Sequence, residues 1–115
     1  MDIKSLLIGL GYYTIAHILT WFQLNGQFIN SWFKEKELIV VLMGIPISFM
    51  FIYGTRYVYE AFGGVVWPGR FIGFSIGMVI FACLTSSILG EGLSLKTLVS
   101  LALCMCLVAI QVLWK

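Results

Sequence analysis

The sequence contains few of the side chains on which enzymes and soluble proteins depend. Only 10% of its 115 residues are charged, and it has a single histidine, His17. No aspartate follows Asp2, so the chain cannot supply a Ser-His-Asp triad. The G-x-S-x-G, H-E-x-x-H and P-loop motifs are also missing. These absences predict that the protein is not an enzyme.

Basic blocks and clusters of metal ligands are missing as well. The net charge is only +2 and the lysines and arginines are dispersed, whereas nucleic-acid binding needs them clustered. Cys83, Cys104 and Cys106 all lie inside apolar runs, without a companion histidine or a second cysteine pair. We therefore expect no nucleic-acid partner, no metal and no cofactor, and we expect the thiols to pack as small apolar groups.

What the chain has in excess is hydrophobicity. Apolar residues make up 61% of it, against about 45–50% in a typical soluble domain. This composition predicts an all-α integral membrane protein whose single domain, residues 1–115, has four transmembrane helices and short loops. The first apolar run has no A-x-A-like cleavage site, so we expect it to be retained as a span. The predicted spans are residues 3–24, 38–57, 71–89 and 95–114.

One face of the first predicted span is polar. It carries Tyr13, Thr14, His17 and Trp21, which are spaced by three and four residues. We expect this face to turn inward and to line a substrate pathway, because unpaired polar groups are costly in hydrocarbon. His17 has two interpretations. It is either a proton or substrate site, or a neutral imidazole bonded to a Thr, a Tyr or a backbone carbonyl of a neighbouring helix.

A small group of charges is predicted at one membrane boundary. Arg56 and Glu60 end the second apolar run, four residues apart, and Arg70 precedes the third. One interpretation is a rim that binds an anionic headgroup or substrate, because arginine recognises phosphate and carboxylate through its forked geometry. The other is interfacial snorkelling together with a simple Arg56–Glu60 pair on one helix face.

Three interruptions of the apolar pattern predict how the spans are joined. Residues 25–37 are expected to form a loop that contains a short amphipathic piece at the interface. Pro46 predicts a bend within the second span. Two glycines and a Pro-Gly pair between Ala61 and Arg70 predict a part-buried connection or a broken helix entry instead of a regular helix.

Small residues recur at helical spacing in the last two spans. They are Gly69, Gly73 and Gly77 before and within the third span, and Ser100 and Cys104 in the fourth. This small-xxx-small pattern lets membrane helices approach closely, so we expect helix packing at both places. The packing is either internal to one chain, or against a second copy or a neighbour along which the helix slides.

The turn after the third span carries a family likeness. Gly90-Glu91-Gly92-Leu93-Ser94 precedes an uninterrupted helix of small and aliphatic residues. This hairpin resembles the closing hairpin of the drug/metabolite transporter superfamily, in which a span ends in a Gly-Glu-like turn. Four short spans resemble its half-size members, such as the small multidrug resistance transporters and the paired flippase subunits for lipid-linked sugars. Glu91 is expected to act in the turn and at the start of the last helix.

The resemblance implies a multi-pass protein of the plasma membrane, or of the bacterial inner membrane, that works as a homodimer or with a similar four-span protein. It implies that a small metabolite, a drug or a lipid-linked molecule is moved by alternating access. Small multidrug resistance members carry a glutamate in the first span, where this chain has His17. We therefore do not expect proton-coupled export of cationic drugs.

Two other functions remain open at this point. The small-residue helix faces would also suit a non-transporting subunit that docks to a larger membrane complex. Arg56 and Arg70 would also suit a protein that binds lipid headgroups without transporting them.

Overall fold

The computed structural model describes residues 1–114, and within them the regular structure is helical. Two short elements, a 3₁₀ turn at Gly26–Phe28 and a single helical turn at Trp32–Glu35, lie in the loop after the first helix. The helices are α1 Ile3–Asn25, α2 Trp32–Glu35, α3 Glu37–Leu42, α4 Gly44–Ala61, α5 Trp67–Leu84 and α6 Leu95–Leu113. Helix α5 continues into a π-helical turn at Thr85–Leu89.

Four helical stretches are long and apolar enough to cross a membrane, as the composition predicts. They are Ile3–Phe28, Glu37–Ala61, Trp67–Leu89 and Leu95–Leu113. Large apolar side chains are exposed along all four, including Leu7, Phe49, Phe74 and Leu103. A soluble monomer rarely exposes contiguous apolar surface on this scale. The four stretches therefore suggest a multi-pass membrane protein.

Helix α1 lies at the centre of the bundle. It packs against α4 on one side and α5 on the other, whereas α6 packs mainly against the far side of α5. The buried core joins these helices through Tyr13, Val58 and Ile72. The only residue of α6 that is buried is Cys104, whose carbonyl oxygen accepts a 3.2 Å hydrogen bond from Oγ of Ser75. Val108 and Val112 of α6 also pack against this core, but most of the other residues of α6 are exposed.

Two glycines bring α1 and α4 into backbone contact. A methyl group at Gly9 would lie 2.6 Å from Cγ2 of Val58 and 3.1 Å from the carbonyl oxygen of Gly54. A methyl group at Gly54 would lie 2.8 Å from Cδ1 of Tyr13. Both positions therefore need glycine, because Val58 and Tyr13 are almost completely buried and have little room to move.

The connection between α4 and α5 is irregular at its two glycines, as predicted, but it is shorter than predicted. Gly63 and Gly64 have φ of +72° and +89° and end the helix, as their residue type predicts. The expectation of irregular structure at Trp67-Pro68-Gly69-Arg70 was wrong, because α5 begins at Trp67. Pro68 lies in the first turn of α5, where a missing N–H leaves no hydrogen bond unmade.

Pro46 lies close to an interruption in the second span. The regular helix stops at Leu42 and resumes at Gly44, so Pro46 is in the first turn of α4. Its missing N–H again falls where a helix has no internal partner for one. The loop predicted for residues 25–37 contains α2, a single turn whose side chains are mostly exposed.

The turn between α5 and α6 corrects the role predicted for Glu91. Gly90 adopts the left-handed conformation with φ +73°, which glycine tolerates without strain. Helix α6 begins only at Leu95, and Oγ of Ser94 caps it by accepting the N–H of Thr97 at 3.2 Å. Glu91 lies outside the first turn of α6, so it is a residue of the turn and not of the helix start.

The N-terminus is fixed to the end of α4. The backbone N–H of Asp2 donates to the carbonyl oxygen of Ala61 at 3.1 Å. The Asp2 carboxylate also caps α1 by accepting from the N–H and Oγ of Ser5, at 3.3 and 2.9 Å. These hydrogen bonds from Ser5 hold the pKa of the exposed Asp2 carboxyl below its ordinary value. The start of α1 and the end of α4 therefore lie at the same end of the bundle.

We predict that Gly9→Ala weakens the bundle whereas Gly11→Ala does not. The added methyl at position 9 meets Val58 and the α4 backbone, which should cost about 1–3 kcal/mol of folding free energy. Nothing lies within 4 Å of a methyl at position 11, so alanine there should be neutral or slightly stabilising. Loss of helical circular dichroism during SDS titration of protein in mild micelles measures the difference. Equal stability of the two variants would contradict the close α1–α4 contact.

Candidate functional site

A cavity of about 700 Å³ lies between α1, α4 and α5. Pockets of this size are typical of small-molecule sites in proteins. Its lining combines aromatic side chains, glycines, hydroxyl groups, the imidazole and one guanidinium. The residues are Tyr13, His17, Phe51, Thr55, Tyr59, Val66, Gly69, Arg70, Gly73, Phe74, Gly77, Met78 and Phe81.

The cavity enters the bundle from the end at which α4 leads into α5. Arg70 and Tyr59 are exposed and line this end of the cavity, close to the connection that Gly63 and Gly64 form, and we call this end the mouth. Arg70 and Phe81 both line the cavity and are eleven residues apart on α5. At about 1.5 Å per residue they are about 16 Å apart along the helix axis, about half of a 30 Å hydrocarbon layer. The cavity therefore reaches about halfway through the bundle.

Tyr13 forms the wall that α1 contributes near the mouth. Its hydroxyl and Oγ1 of Thr55 on α4 share a 3.0 Å hydrogen bond. Its ring lies along α5, where a methyl group at Gly73 would be 3.6 Å from the ring carbons and one at Gly69 would be 3.5 Å from the hydroxyl oxygen. Tyr13 is only 4% exposed, so its position is fixed by both neighbouring helices.

His17 lies one helical turn deeper than Tyr13. Its half-buried imidazole meets the ring of Phe51 edge to face, with centroids 5.0 Å apart and an interplanar angle of 85°. A methyl group at Gly77 would lie only 2.6 Å from Cε1 and 2.8 Å from Nδ1 of the imidazole. The ring is thus held between Phe51 and the bare backbone at Gly77, with the remaining side open to the cavity.

The predicted glycine ladder forms the surface of α5 that faces α1. Gly69 and Gly73 lie against Tyr13, and Gly77 lies against His17. The ladder is therefore used for packing within the chain. Because these three residues have no side chain, they also leave the space that the cavity occupies.

A buried hydrogen bond joins α1 to the end of α5 beyond His17. Nε1 of Trp21 donates to Oγ1 of Thr85 at 3.0 Å, and both side chains are buried. Thr85 begins the π-helical turn, a type of irregularity that is frequent at functional sites. Among residues 1–114, the buried hydroxyl oxygens of Thr20 and Ser86, beside this pair in sequence, have no hydrogen-bond partner.

The structure brings three of the seven predicted pathway and rim residues into the cavity. Tyr13, His17 and Arg70 line it. Thr14 instead lines a separate groove between α1, α5 and α6, and its hydroxyl donates to the carbonyl oxygen of Leu10 at 2.8 Å. Trp21 lies beyond the deep end, in the hydrogen bond to Thr85.

The remaining rim residues stay outside the cavity. Arg56 and Glu60 are exposed on α4 and, within residues 1–114, form no ion pair with each other. The Arg56 guanidinium instead lies 5.3 Å from the centroid of the Tyr53 ring, a cation–π contact. The three predicted rim charges therefore do not form one cluster.

The other predicted packing and turn residues lie away from the cavity. Cys104 packs against α5 as expected, whereas Ser100 is exposed and donates to the carbonyl oxygen of Lys96 within α6. Gly90 and Glu91 are exposed in the turn at the opposite end from the mouth.

Sequence reasoning missed the contribution of α4. Phe51, Thr55 and Tyr59 recur every four residues and supply one whole wall of the cavity. The signal was present, because two hydroxyl-bearing residues at this spacing in an apolar helix mark one face.

The lining of the cavity has the composition of a ligand pocket. Within residues 1–114, no group of three His, Cys, Asp or Glu side chains lies close enough to hold a metal ion. The cavity instead combines an apolar aromatic wall with a few polar groups, which is the usual composition of a ligand pocket.

Comparison of the sequence with models of known protein families finds no match, and neither do comparisons with curated proteins and with solved structures. The family resemblance in the last hairpin therefore stays a prediction. The geometry of the cavity carries the functional argument.

We predict that Gly77→Ala displaces the His17 ring, whereas Gly73→Ala leaves it in place. A methyl at position 77 overlaps the imidazole, which can swing into the open cavity, so the protein should stay folded. A methyl at position 73 makes only ordinary contacts with Tyr13. Diethylpyrocarbonate modification, followed by the ultraviolet absorbance of the N-carbethoxyimidazole product, reports on His17, because the chain has one histidine. We expect faster modification in Gly77→Ala than in wild type or Gly73→Ala, and equal rates in all three would refute the contact.

Proposed function

We propose that the protein is a multi-pass membrane protein that acts as a small transporter or flippase subunit. It would move a small metabolite, a drug or a lipid-linked molecule through the cavity between α1, α4 and α5. The observation that carries this proposal is the one-sided shape of the cavity. Its lining runs from Arg70 at the mouth to His17 and Phe81, and it does not include Trp21 or Thr85.

A cavity whose lining reaches only one end of the helix bundle is what one state of an alternating-access transporter requires. Substrate sites in such proteins lie near the middle of the membrane. His17 lies at that depth, and the Tyr13–Thr55 pair lies one helical turn nearer the mouth. Polar groups at such positions are costly unless they have a partner or a function.

The closed end has features that suit a movable gate. The Trp21–Thr85 hydrogen bond joins α1 to the π-helical turn, where the regular hydrogen-bond ladder of α5 is already interrupted. Opening there would give the hydroxyls of Thr20 and Ser86 access to water, which they lack in the closed state. Flexing of α5 would thus expose the site to the opposite side.

A second subunit is part of the proposal. Three helices wall the cavity, and Phe74 and Phe81 on its rim are about half exposed, so it is open toward the side. A second copy, or a similar four-span protein, would complete the wall. The plasma membrane, or the bacterial inner membrane, is the location that the family resemblance favours.

A non-transporting subunit of a larger complex is the alternative that α6 favours. From Thr97 to Trp114 this helix has no charged residue, and Cys104 is its only buried residue. Such a face would suit a larger partner. Purification in mild detergent separates the two functions, because a stoichiometric foreign partner without self-dimers would support the subunit, and a dimer of four-span chains would support the transporter.

We predict that reconstituted protein increases the movement of at least one fluorescent lipid analogue or small metabolite across vesicles, relative to protein-free vesicles. His17→Ala should reduce this movement at least about tenfold, because an intramembrane polar group at the site is removed. Thr14→Ala is the matched control, since Thr14 lies on the same helix but outside the cavity. Dithionite quenching measures lipid movement, and filtration measures metabolite uptake.

Two results would contradict the proposal. Rates equal to those of empty vesicles across the whole panel would argue against transport. Equal rates for wild type and His17→Ala would remove His17 from the mechanism and leave the cavity without a polar centre.

A further inference from the structure

The charge of the cavity lining has one sign. Arg70 is the only Lys or Arg among the lining residues, and neither Asp nor Glu is among them. The only other ionisable nitrogen is in His17, whose charged form is also positive. A cationic molecule would find no counter-ion in this cavity, whereas an anion would find one at the mouth.

The Arg70 guanidinium is available for a ligand. It is exposed at the start of α5, and within residues 1–114 it forms no ion pair with a carboxylate. The Asp2 carboxylate lies at the same end of the bundle, but it accepts hydrogen bonds from the backbone N–H and Oγ of Ser5 and does not pair with Arg70. Low-dielectric walls around an unpaired cation focus its field and draw anions toward it. Arginine also binds phosphate and carboxylate in a bidentate way.

The rest of the cavity is apolar. Phe51, Phe74, Met78 and Phe81 line it beyond the mouth. Phe74 and Phe81 are 51% and 47% exposed, so this part of the cavity is also open toward the side, where acyl chains of a membrane would lie. A ligand that fits both regions has an anionic head and an apolar body.

The volume limits the size of that ligand. A cavity of about 700 Å³ has room for about 20 non-hydrogen atoms at about 30 Å³ each. That is enough for one headgroup with one apolar chain, and the second chain of a phospholipid would lie outside the cavity, at its open side.

We infer that the cavity binds an anionic amphiphile, with its phosphate or carboxylate head at Arg70 and one apolar chain directed toward His17. This inference takes from the proposed function that the cavity is the substrate site, and it adds the chemical class of the substrate. The same chemistry has two sources, a membrane phospholipid and a free single-chain amphiphile.

Binding of radiolabelled dodecyl phosphate to wild-type protein in phosphatidylcholine nanodiscs tests the inference. Binding to empty nanodiscs is subtracted, so that partition into lipid does not count. We expect saturable binding that is weakened at least about tenfold in Arg70→Gln, because a charged hydrogen-bonding partner is lost. Arg70→Lys should retain part of the affinity, since lysine keeps the positive charge but cannot form the bidentate hydrogen bonds of a guanidinium.

Arg56→Gln is the matched control. It removes the same charge from the same end of the bundle, but Arg56 lies outside the cavity, against Tyr53. Its affinity for dodecyl phosphate should equal that of wild type. Equal weakening in Arg56→Gln and Arg70→Gln would overturn the inference, because it would show only general attraction to positive charge.

Competing compounds test the two halves of the ligand and its source. Dodecyltrimethylammonium and inorganic phosphate should each compete poorly, since one lacks the anion and the other lacks the chain. Competition by dodecyltrimethylammonium equal to that by unlabelled dodecyl phosphate would overturn the inference. Weaker probe binding in phosphatidylglycerol nanodiscs supports a phospholipid as the source, and unchanged binding supports a free amphiphile.

The outcome is separable from that of the proposed function, because binding is measured without transport. Selective binding through Arg70 without movement across vesicles would contradict the transporter and leave the ligand class in place. Movement that favours cationic compounds and is unchanged in Arg70→Gln would contradict the ligand class and leave the transporter in place.

Discussion

The contact of Tyr13 with the glycines of two neighbouring helices is the constraint on which the rest of the structure depends. Its ring occupies the space that a side chain at Gly54 would need, and it also lies along Gly73 of α5. Its hydroxyl shares a hydrogen bond with Thr55. One aromatic side chain thus sets the distance from α1 to both α4 and α5, and the buried cluster with Val58 and Ile72 forms around it.

The cavity is a consequence of the same contact. The glycines of α5 lie against Tyr13 and His17, and these side chains and their aromatic neighbours leave part of the space beside Gly73 and Gly77 unfilled. A side chain at Gly77 would push the imidazole into this space. Packing and the proposed function are therefore linked, because the residues that allow the helices to approach also leave room for a ligand.

Much of the fold could be predicted from the sequence, because hydrophobic runs of membrane length have few alternatives. The site could be predicted only in part. Spacing placed Tyr13 and His17 on one face, but it did not show that Thr14 lines the groove toward α6 or that Arg56 lies against Tyr53. Those outcomes depend on how far each helix is rotated toward its neighbours, which hydrophobicity alone does not specify.

Two local errors have the same origin. Pro68 and Glu91 were interpreted from residue type, whereas their roles depend on where a helix begins. Proline is compatible with the first turn of α5, and the capping of α6 by Ser94 leaves Glu91 in the turn. Such boundaries are set within one or two residues by capping hydrogen bonds, and composition does not resolve them.

The central proposal is that the cavity between α1, α4 and α5 is reached by water from the end of the bundle at which Arg70 lies. Cysteine accessibility at Met78 and Val79 tests it most directly, because Met78 lines the cavity and its neighbour Val79 faces the groove between α5 and α6. The native cysteines are first replaced by alanine. A membrane-impermeant maleimide should label Met78→Cys from the side of the mouth and leave Val79→Cys unlabelled. Equal labelling of the two positions, or none at either, would contradict the claim.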